Sequence, residues 1–539
     1  MRSQEKEKSI HFQIDELFYY LFIVILMGAK GIGLTDGQKL FTLCLLLAGV
    51  CWVVKMCLTG YSLKEWILTI LLMGLSLVIW KRTGEKAAAA AVMVIMGMKG
   101  IPLKRLMKVC LIVWGITFIF SLARGLLGIY DGVVVVHEKL GLGPIIRYSL
   151  GYTHPNVLHV TYFMLMMLFL YVFRPGGRRL YWTAALLFVG NLYIFLYSIS
   201  YTGMIIVTAY LMMTIYFDRR GKLKLPEKGL ALLFFLFCVA FPIAGPFILK
   251  GKAFQFFNTL LSTRFELVYN IFSRNQVSLF GSTIMPSGGA RLSLDSSFAY
   301  MLMYYGIIAF VLILGLYFYS LYYCLSKNKL QETAILLGTA LAGVTEQFLF
   351  NLSFKNIALF ILGYALFEGI LKTEKGKAKE IGILLPWSRQ GLLISVPPIF
   401  YTIKDASYGI WKEKKKCMLA CGCVCALLIT AGWLAFGEKA EYVLVEKGAT
   451  SYRGDDEFVM TEEILADQTP HIRVGSISED CQGYRFAGNA IVMERVRCVA
   501  SAVVWGFLDG LLVSFAVFLW KKGTFRDVKW RKARRKGAG

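Results

Sequence analysis

Arg264, Arg274 and Arg291 stand in one polar stretch that begins at Phe257, separated by aromatic and small residues, and the stretch runs straight into an apolar segment ending near Gly315. A guanidinium fork holds two phosphate oxygens at once, so this set suits a surface that grips an anionic head group with a sugar beside it. An ordinary solvated loop accounts for the same composition, and both readings stand. A second stretch, SLGYTHPNVLHVTYF, places His154 and Asn156 around Pro155 at the start of an apolar run. Thr153 or His154 before a first-turn proline is helix-start grammar, while an imidazole there can also exchange a proton near neutral pH. The third candidate is Glu346, in TALAGVTEQFLFNLSFKN. An acid at the centre of a bilayer helix costs roughly 2.5 to 3.5 kcal/mol, so it faces a wet cavity or the bundle interior. There it serves catalysis, pairs with an arginine, or stays protonated and hydrogen-bonded.

These groups must be positioned by membrane helices. With 57% hydrophobic residues and a mean hydropathy of +0.60, the 539-residue chain is too apolar for a soluble globular protein and reads as an all-α polytopic membrane protein. The 59 Lys and Arg against 34 Asp and Glu sit between apolar runs, where they orient helices and do not mark a nucleic-acid partner. About 20 apolar residues cross a bilayer. On that rule spans fall at 16–33, 40–58, 65–80, 87–101, 106–127, 155–173, 181–199, 201–217, 229–249, 298–325, 332–351 and 354–371, with a further pair at 416–436 and 498–520.

With the charged N-terminus inside, alternation puts the basic turns Arg174–Arg179, Arg219–Lys228 and Lys327–Lys329 in the cytoplasm. The loops 128–154, 250–297 and 437–497 fall outside, and the basic tail from Lys521 returns inside; Lys81 and Arg82 are left external against the rule. The organisation is then a body at 1–371 carrying the large external loop 250–297, a basic cytoplasmic or interfacial linker at 372–415, and a two-helix appendage at 416–539 with an external acidic loop at 437–497. The linker holds Arg389, Pro397 and Pro398, which argue against another span. Cys421 and Cys425 share a helix face without a completing metal ligand, Cys481 and Cys498 bracket an external segment and could pair, which the sequence does not decide, and Asp455, Asp456 and Glu457 form an exposed acidic turn or a divalent-ion site. No internal repeat suggests a transporter's inverted halves.

Five pieces, in order and spacing, resemble the O-antigen polymerase and ligase superfamily, and among it the Wzy-type repeat-unit polymerases: GYTHPNVLH, YSISYTG, LSTRFELVYN with LFG, LDSSFAYMLMYYGII, and TEQFLFNLSFKNIALFILG. The resemblance covers about residues 15–371. Two departures stand out: the family's SRTG is Ser200-Tyr201-Thr202-Gly203 here, so Tyr201 replaces a substrate-binding arginine, and its Asp-Asn-Ser-Tyr is Asp295-Ser296-Ser297-Phe298.

The resemblance implies a GT-C-like helical bundle of about 12 transmembrane helices plus the appendage, and a glycosyltransferase of the bacterial cell membrane with its active side external. Its donor and acceptor would be undecaprenyl-pyrophosphate-linked oligosaccharides, polymerised into a capsule, exopolysaccharide or O-antigen. Arg264 is the first candidate for the pyrophosphate, with Arg274, Arg291, Asn156 and Tyr201 as further substrate contacts, and His154, Asp295 and Glu346 are the candidate bases. The pyrophosphate is already activated, so neither nucleotide, metal nor other cofactor is expected. A polysaccharide flippase and a chain-length regulator are the implied protein partners. A ligase of the same superfamily, and a lipid-linked oligosaccharide flippase, are the alternatives; polar groups gathered at external helix ends favour an enzyme over a transporter.

Overall fold

The computed structural model describes residues 9–126, 133–139, 141–284, 294–372, 380–381, 391–395, 398–437, 442–446, 458–459, 471–474, 481–484 and 489–521. In chain order, β1 (Ser9–Gln13) leads into α1 (Ile14–Gly31), α2 (Lys39–Leu58), β2 (Tyr61–Ser62), α3 (Leu63–Thr83), α4 (Ala87–Met96) and α5 (Leu103–Leu126). The pair β3 (Val134–Lys139) and β4 (Gly143–Tyr148) precedes α6 (Pro155–Phe173), α7 (Arg178–Ser198), α8 (Tyr201–Arg220) and α9 (Leu225–Ile248). Then come α10 (Gly251–Leu260), α11 (Arg264–Arg274), α12 (Ser297–Tyr304), α13 (Gly306–Ser326), α14 (Leu330–Gly343), a 3-10 turn at Gln347–Phe350, and α15 (Ala358–Ala365), which ends in a π turn at Leu366–Ile370. The remainder is β5 (Glu380–Ile381), β6 (Gly391–Ser395), α16 (Pro398–Phe436), β7 (Tyr442–Glu446), β8 (Phe458–Val459), β9 (His471–Val474), β10 (Cys481–Tyr484) and α17 (Asn489–Lys521).

Among the described residues ten helices are long and apolar enough to cross a membrane: α2, α3, α5 to α9, the α12–α13 pair, α16 and α17. The chain is therefore a helical, multi-pass membrane protein by length and composition. The other four expected spans correspond to helices that are shorter or more charged. α1 carries Asp15, Glu16 and Lys30, and α4 is 10 residues long, about 15 Å. The expected span 332–351 is corrected: α14 stops at Gly343 after 14 residues, and the chain passes through extended Glu346 into the 3-10 turn. The expected span 354–371 likewise starts only at Ala358. In the linker, Pro398 opens a 39-residue helix continuous with the span at 416–436. A proline at the first helical position lacks only an N–H that would be unsatisfied anyway, which is why it starts this helix instead of breaking it.

The chain divides into two compact units, one of residues 13–133 and 148–391, the other of residues 1–12, 134–147 and 392–539. In the first unit α1 packs on α2 and α5, α6 on α5 and α7, and α8 and α9 on α14. α14 and α15 are its buried centre, whereas α2, α3 and α7 expose rows of Leu, Ile and Val. One end of α1, α2, α3 and α5 is tied by a buried ionic network. Lys55 Nζ lies 3.1 Å from Asp15 Oδ2 and donates to Thr59 Oγ1 at 2.6 Å and to the Lys99 carbonyl at 2.8 Å. Lys99 Nζ reaches Glu65 Oε2 at 2.6 Å, and Arg105 Nη1 lies 2.7 and 2.8 Å from the two Glu16 oxygens. A buried Lys55 is tolerated because each of its donors is taken up.

In the second unit α16 and α17 form an antiparallel hairpin whose close approach depends on glycine. A Cβ at Gly510 would stand 2.6 Å from the Cys421 carbonyl oxygen, and one at Gly506 would stand 2.8 Å from Ala426 Cα. A four-stranded sheet in the order β8-β10-β7-β9 joins the two helices, antiparallel except for the β7–β9 pair. Cys498 is a free thiol, and the side chain of Cys481 lies outside the described ones. Asp455, Asp456 and Glu457 also lie outside the described residues.

Candidate functional site

Four separate stretches of the first unit meet at one carboxylate, Glu346. Arg264 Nη2 stands 3.3 Å from Glu346 Oε1, Asn156 Nδ2 3.4 Å and Thr202 Oγ1 3.4 Å from the same oxygen. Asp295 adds a second carboxylate, its Oδ2 3.5 Å from Arg264 Nη2. The pairing of Glu346 with an arginine was one of the readings open from sequence, and its geometry is loose. Charge-assisted hydrogen bonds settle near 2.7 to 2.9 Å, and every contact here is longer. Arg264 Nη1 donates to the Leu261 carbonyl at 2.9 Å, yet its Nε is buried without an acceptor. The guanidinium is thus buried and pre-aimed while part of its donor capacity remains unused.

Each stretch is placed by local rules. α11 turns Arg264, Phe265, Val268 and Ile271 to the interior. Phe265 anchors it under α9, 5.1 Å from the Phe241 ring, where a side chain at Gly245 would come within 2.9 Å of the ring. α6 begins at Pro155, and His154 caps it by accepting the Asn156 N–H on Nδ1 at 3.1 Å. With that lone pair engaged, the neutral ring carries its proton on Nε2, and protonating Nδ1 would break the cap. In YSISYTG every polar position has a task. Ser198 bonds His159 Nδ1 at 3.0 Å, Ser200 caps α8 at the Gly203 N–H, and Thr202 reaches Glu346. Gly203 lets α8 approach His159, whose Cγ would be 2.5 Å from a Cβ there. His159 Nε2 bonds Asn191 Oδ1 at 2.7 Å, while Asn191 Nδ2 donates toward the Met204 carbonyl and Thr208, so the imidazole is the Nε2–H tautomer, buried and satisfied. A cavity of about 10 Å³, room for about one water, lies against Asn156, His159, Ser200, Gly203, Ala342 and Glu346.

The break in α14 that presents Glu346 is held by side chains. Ser296 Oγ donates to the Gly343 carbonyl at 3.3 Å and Ser297 Oγ to the Glu346 carbonyl. The Leu349 N–H returns to Ser297 Oγ at 3.2 Å, Tyr305 donates to the Phe350 carbonyl, and Asn356 Nδ2 to the Leu349 carbonyl at 2.8 Å. Irregular backbone inside a helical membrane body has to be satisfied by protein groups, and these supply them. The Asp295-Ser296-Ser297 motif therefore contributes one acidic side chain and two clamps. Burial raises the Asp295 carboxyl above the usual aspartate range, and the Arg264 charge opposes the rise.

Backbone strain marks the same places. Of the non-glycine residues with positive φ among those described, Arg174, Ile199 (41°) and Asn328 follow helix ends, Ile199 as the C-cap of α7; the others are Leu150 (45°), Ser262 (54°), Thr263 (65°) and Phe354 (53°). Leu150 precedes THPN, Ile199 SYTG, Ser262 and Thr263 Arg264, and Phe354 Lys355. The left-handed region costs an L-residue about 1 to 2 kcal/mol, and a β-branched residue there is an outlier.

Tyr201 stacks on Phe195 with ring centroids 5.8 Å apart, Arg274 is exposed at the end of α11, and Arg291 lies outside the described residues. A residue absent from the sequence reading joins the neighbourhood. Lys355, in the connection before α15, is 6% exposed. Its Nζ is 3.5 Å from the Val157 carbonyl in the first turn of α6, and the Tyr152 and Trp114 rings lie 5.6 and 5.7 Å away. Burial lowers its ammonium to about 7, the Lys30 charge adds to the fall, and Glu346 opposes it. No carboxylate among the described residues is within ion-pair distance of it. A signal existed: lysine at the head of an apolar run, next to a phenylalanine and an asparagine, is an odd choice unless the side chain is used. Among the described residues no group of His, Cys, Asp and Glu is placed to hold a metal ion. Compared with protein-family models, curated proteins and solved structures, the chain matches none.

Proposed function

We propose that this chain is a membrane glycosyltransferase with a GT-C-like body, polymerising undecaprenyl-pyrophosphate-linked repeat units at the external face of a bacterial cell membrane. The observation that carries this reading is a buried arginine loosely shared by two carboxylates: Arg264 lies 3.3 Å from Glu346 and 3.5 Å from Asp295, with Nε unsatisfied. In this reading the pyrophosphate of the donor displaces those contacts and takes the guanidinium fork. An acceptor hydroxyl attacks the anomeric carbon, the bond from that carbon to the pyrophosphate oxygen breaks, and the hydroxyl proton passes to Glu346. The leaving lipid pyrophosphate gains negative charge, which Arg264 stabilises at the stage where it appears. Asn156 and Thr202 hold the carboxylate while Arg264 turns to substrate. The five stretches that resemble the Wzy-type polymerases include all four that meet at Glu346, which favours a transferase over a flippase.

The test is the size of lipid-linked glycan in cells carrying variants at normal membrane level. Arg264→Ala abolishes long chains and accumulates single repeat units on lipid; Arg264→Lys recovers little, because an ammonium cannot replace the fork. Glu346→Gln keeps the hydrogen bonding and loses the base, so polymer falls at least 100-fold. Normal polymer from Arg264→Ala removes the proposal. Long chains piling up on lipid in cells lacking the chain would instead indicate a ligase, and units trapped on the inner leaflet a flippase.

A further inference from the structure

The second unit carries a group that the proposed reaction does not use. The apolar core of α17 runs from Cys498 to Trp520, between Arg497 and Lys521, and Asp509 stands at its midpoint, eleven residues from either boundary. A carboxyl at that depth is expensive whether ionised or merely unbonded, and in membrane proteins it is paired. Asp509 is exposed and has no hydrogen bond or ion pair among the described residues. α16 does not supply a partner. It takes the small-residue stripe Gly506, Gly510 and Ser514, and its basic residues Lys404, Lys412, Lys414, Lys415 and Lys416 all precede its apolar core. Asp509 is turned to a different face, which it shares at helical spacing with Leu512, Val513 and Ala516, all exposed. Only 17% of the apolar window of α17 and 11% of that of α16 is buried, so within this unit most of the hairpin's apolar surface is left uncovered.

We propose that Asp509 and the α17 face around it form an intramembrane docking site for a helix of another membrane protein, one that carries a lysine or arginine near the bilayer centre. Charge complementarity selects this occupant. A basic side chain neutralises the carboxylate and gives it charge-assisted hydrogen bonds in a medium that offers no others. A second copy of this chain would set two like groups against each other and bring no basic side chain to neutralise them.

The experiment places a photo-crosslinking amino acid at Leu512 of the full-length chain in its native membranes. The expected result is one adduct with a membrane protein that has a lysine or arginine in mid-span. Asp509→Glu retains that adduct, and Asp509→Asn reduces it at least tenfold at unchanged chain level. Exchanging the charges, Asp509→Lys here with the partner's base replaced by Asp, restores it; this exchange decides the matter if Asp509→Asn lowers the chain level. The proposal is overturned by an adduct indifferent to Asp509→Asn, by an adduct of two copies of this chain, by a crosslink within one chain, by no adduct, or by failure of the exchange to restore it.

Discussion

Arg264 sits between two acids of different exposure, and the difference has a measurable outcome. The Asp295 side chain is 41% exposed and that of Glu346 13%, and burial still raises the Asp295 carboxyl. A raised carboxyl binds its proton more tightly in the folded chain. Its contribution to stability is therefore present at low pH and is lost as pH rises through the folded value. The proposed transferase activity runs the other way, because the ionised form is the one that pairs with Arg264. The acid limb of polymer yield against external pH then lies above the ordinary aspartate value, and Asp295→Asn lowers the yield while removing that limb. Lys355 poses the opposite problem, a buried cation with one long hydrogen bond and two aromatic neighbours. Replacing it by the similarly sized Met removes a buried amine that has no carboxylate partner, so Lys355→Met melts several degrees higher in detergent while polymer falls at least tenfold. A loss of both stability and polymer would show Lys355 to be a packing residue instead.

Helix ends, more than helix faces, make this site. The candidate residues lie at the starts of α6, α8, α11 and α12, each fixed by a cap, a proline or a left-handed residue, and at the end of α14, held by Ser296 and Ser297. Those features account for what was legible beforehand. THPN is helix-start chemistry, local and visible in the residues themselves; SYTG, STR and DSS stood out by resemblance, and the structure shows them to be caps and turns as well. The break after Gly343 was not legible. Its cause is Ser296 and Ser297, some fifty positions earlier, bonding to carbonyls that an unbroken helix would have consumed. Hydropathy sees a continuous apolar run there, and for the same reason it hid Lys355 inside an expected span. Gly203 tests the tightness of the α6–α8 crossing. A methyl at 2.5 Å from His159 Cγ has no room, so Gly203→Ala costs about 1 to 3 kcal/mol, lowers the melting temperature and displaces Thr202. Gly203→Ala with wild-type stability would mean that the helices separate at little cost.

At the scale of the molecule, composition and charge spacing disclosed a polytopic helical protein because the bilayer imposes one length and one polarity on its spans. They did not disclose the ionic knot of Asp15, Lys55, Glu65 and Lys99. Charges near span ends look like interfacial anchors until the helices are assembled. The clamp between 294–305 and 343–356 reaches further than catalysis. Two stretches far apart in the chain complete one another's backbone hydrogen bonds inside the helical body. Grafting either stretch alone into another membrane scaffold strands carbonyls and an N–H, and such a chimera should insert poorly or be degraded. A chimera receiving both should accumulate, as immunoblots of membrane fractions would report. As units of heredity, then, these two distant stretches behave as a single cassette, exchangeable only together.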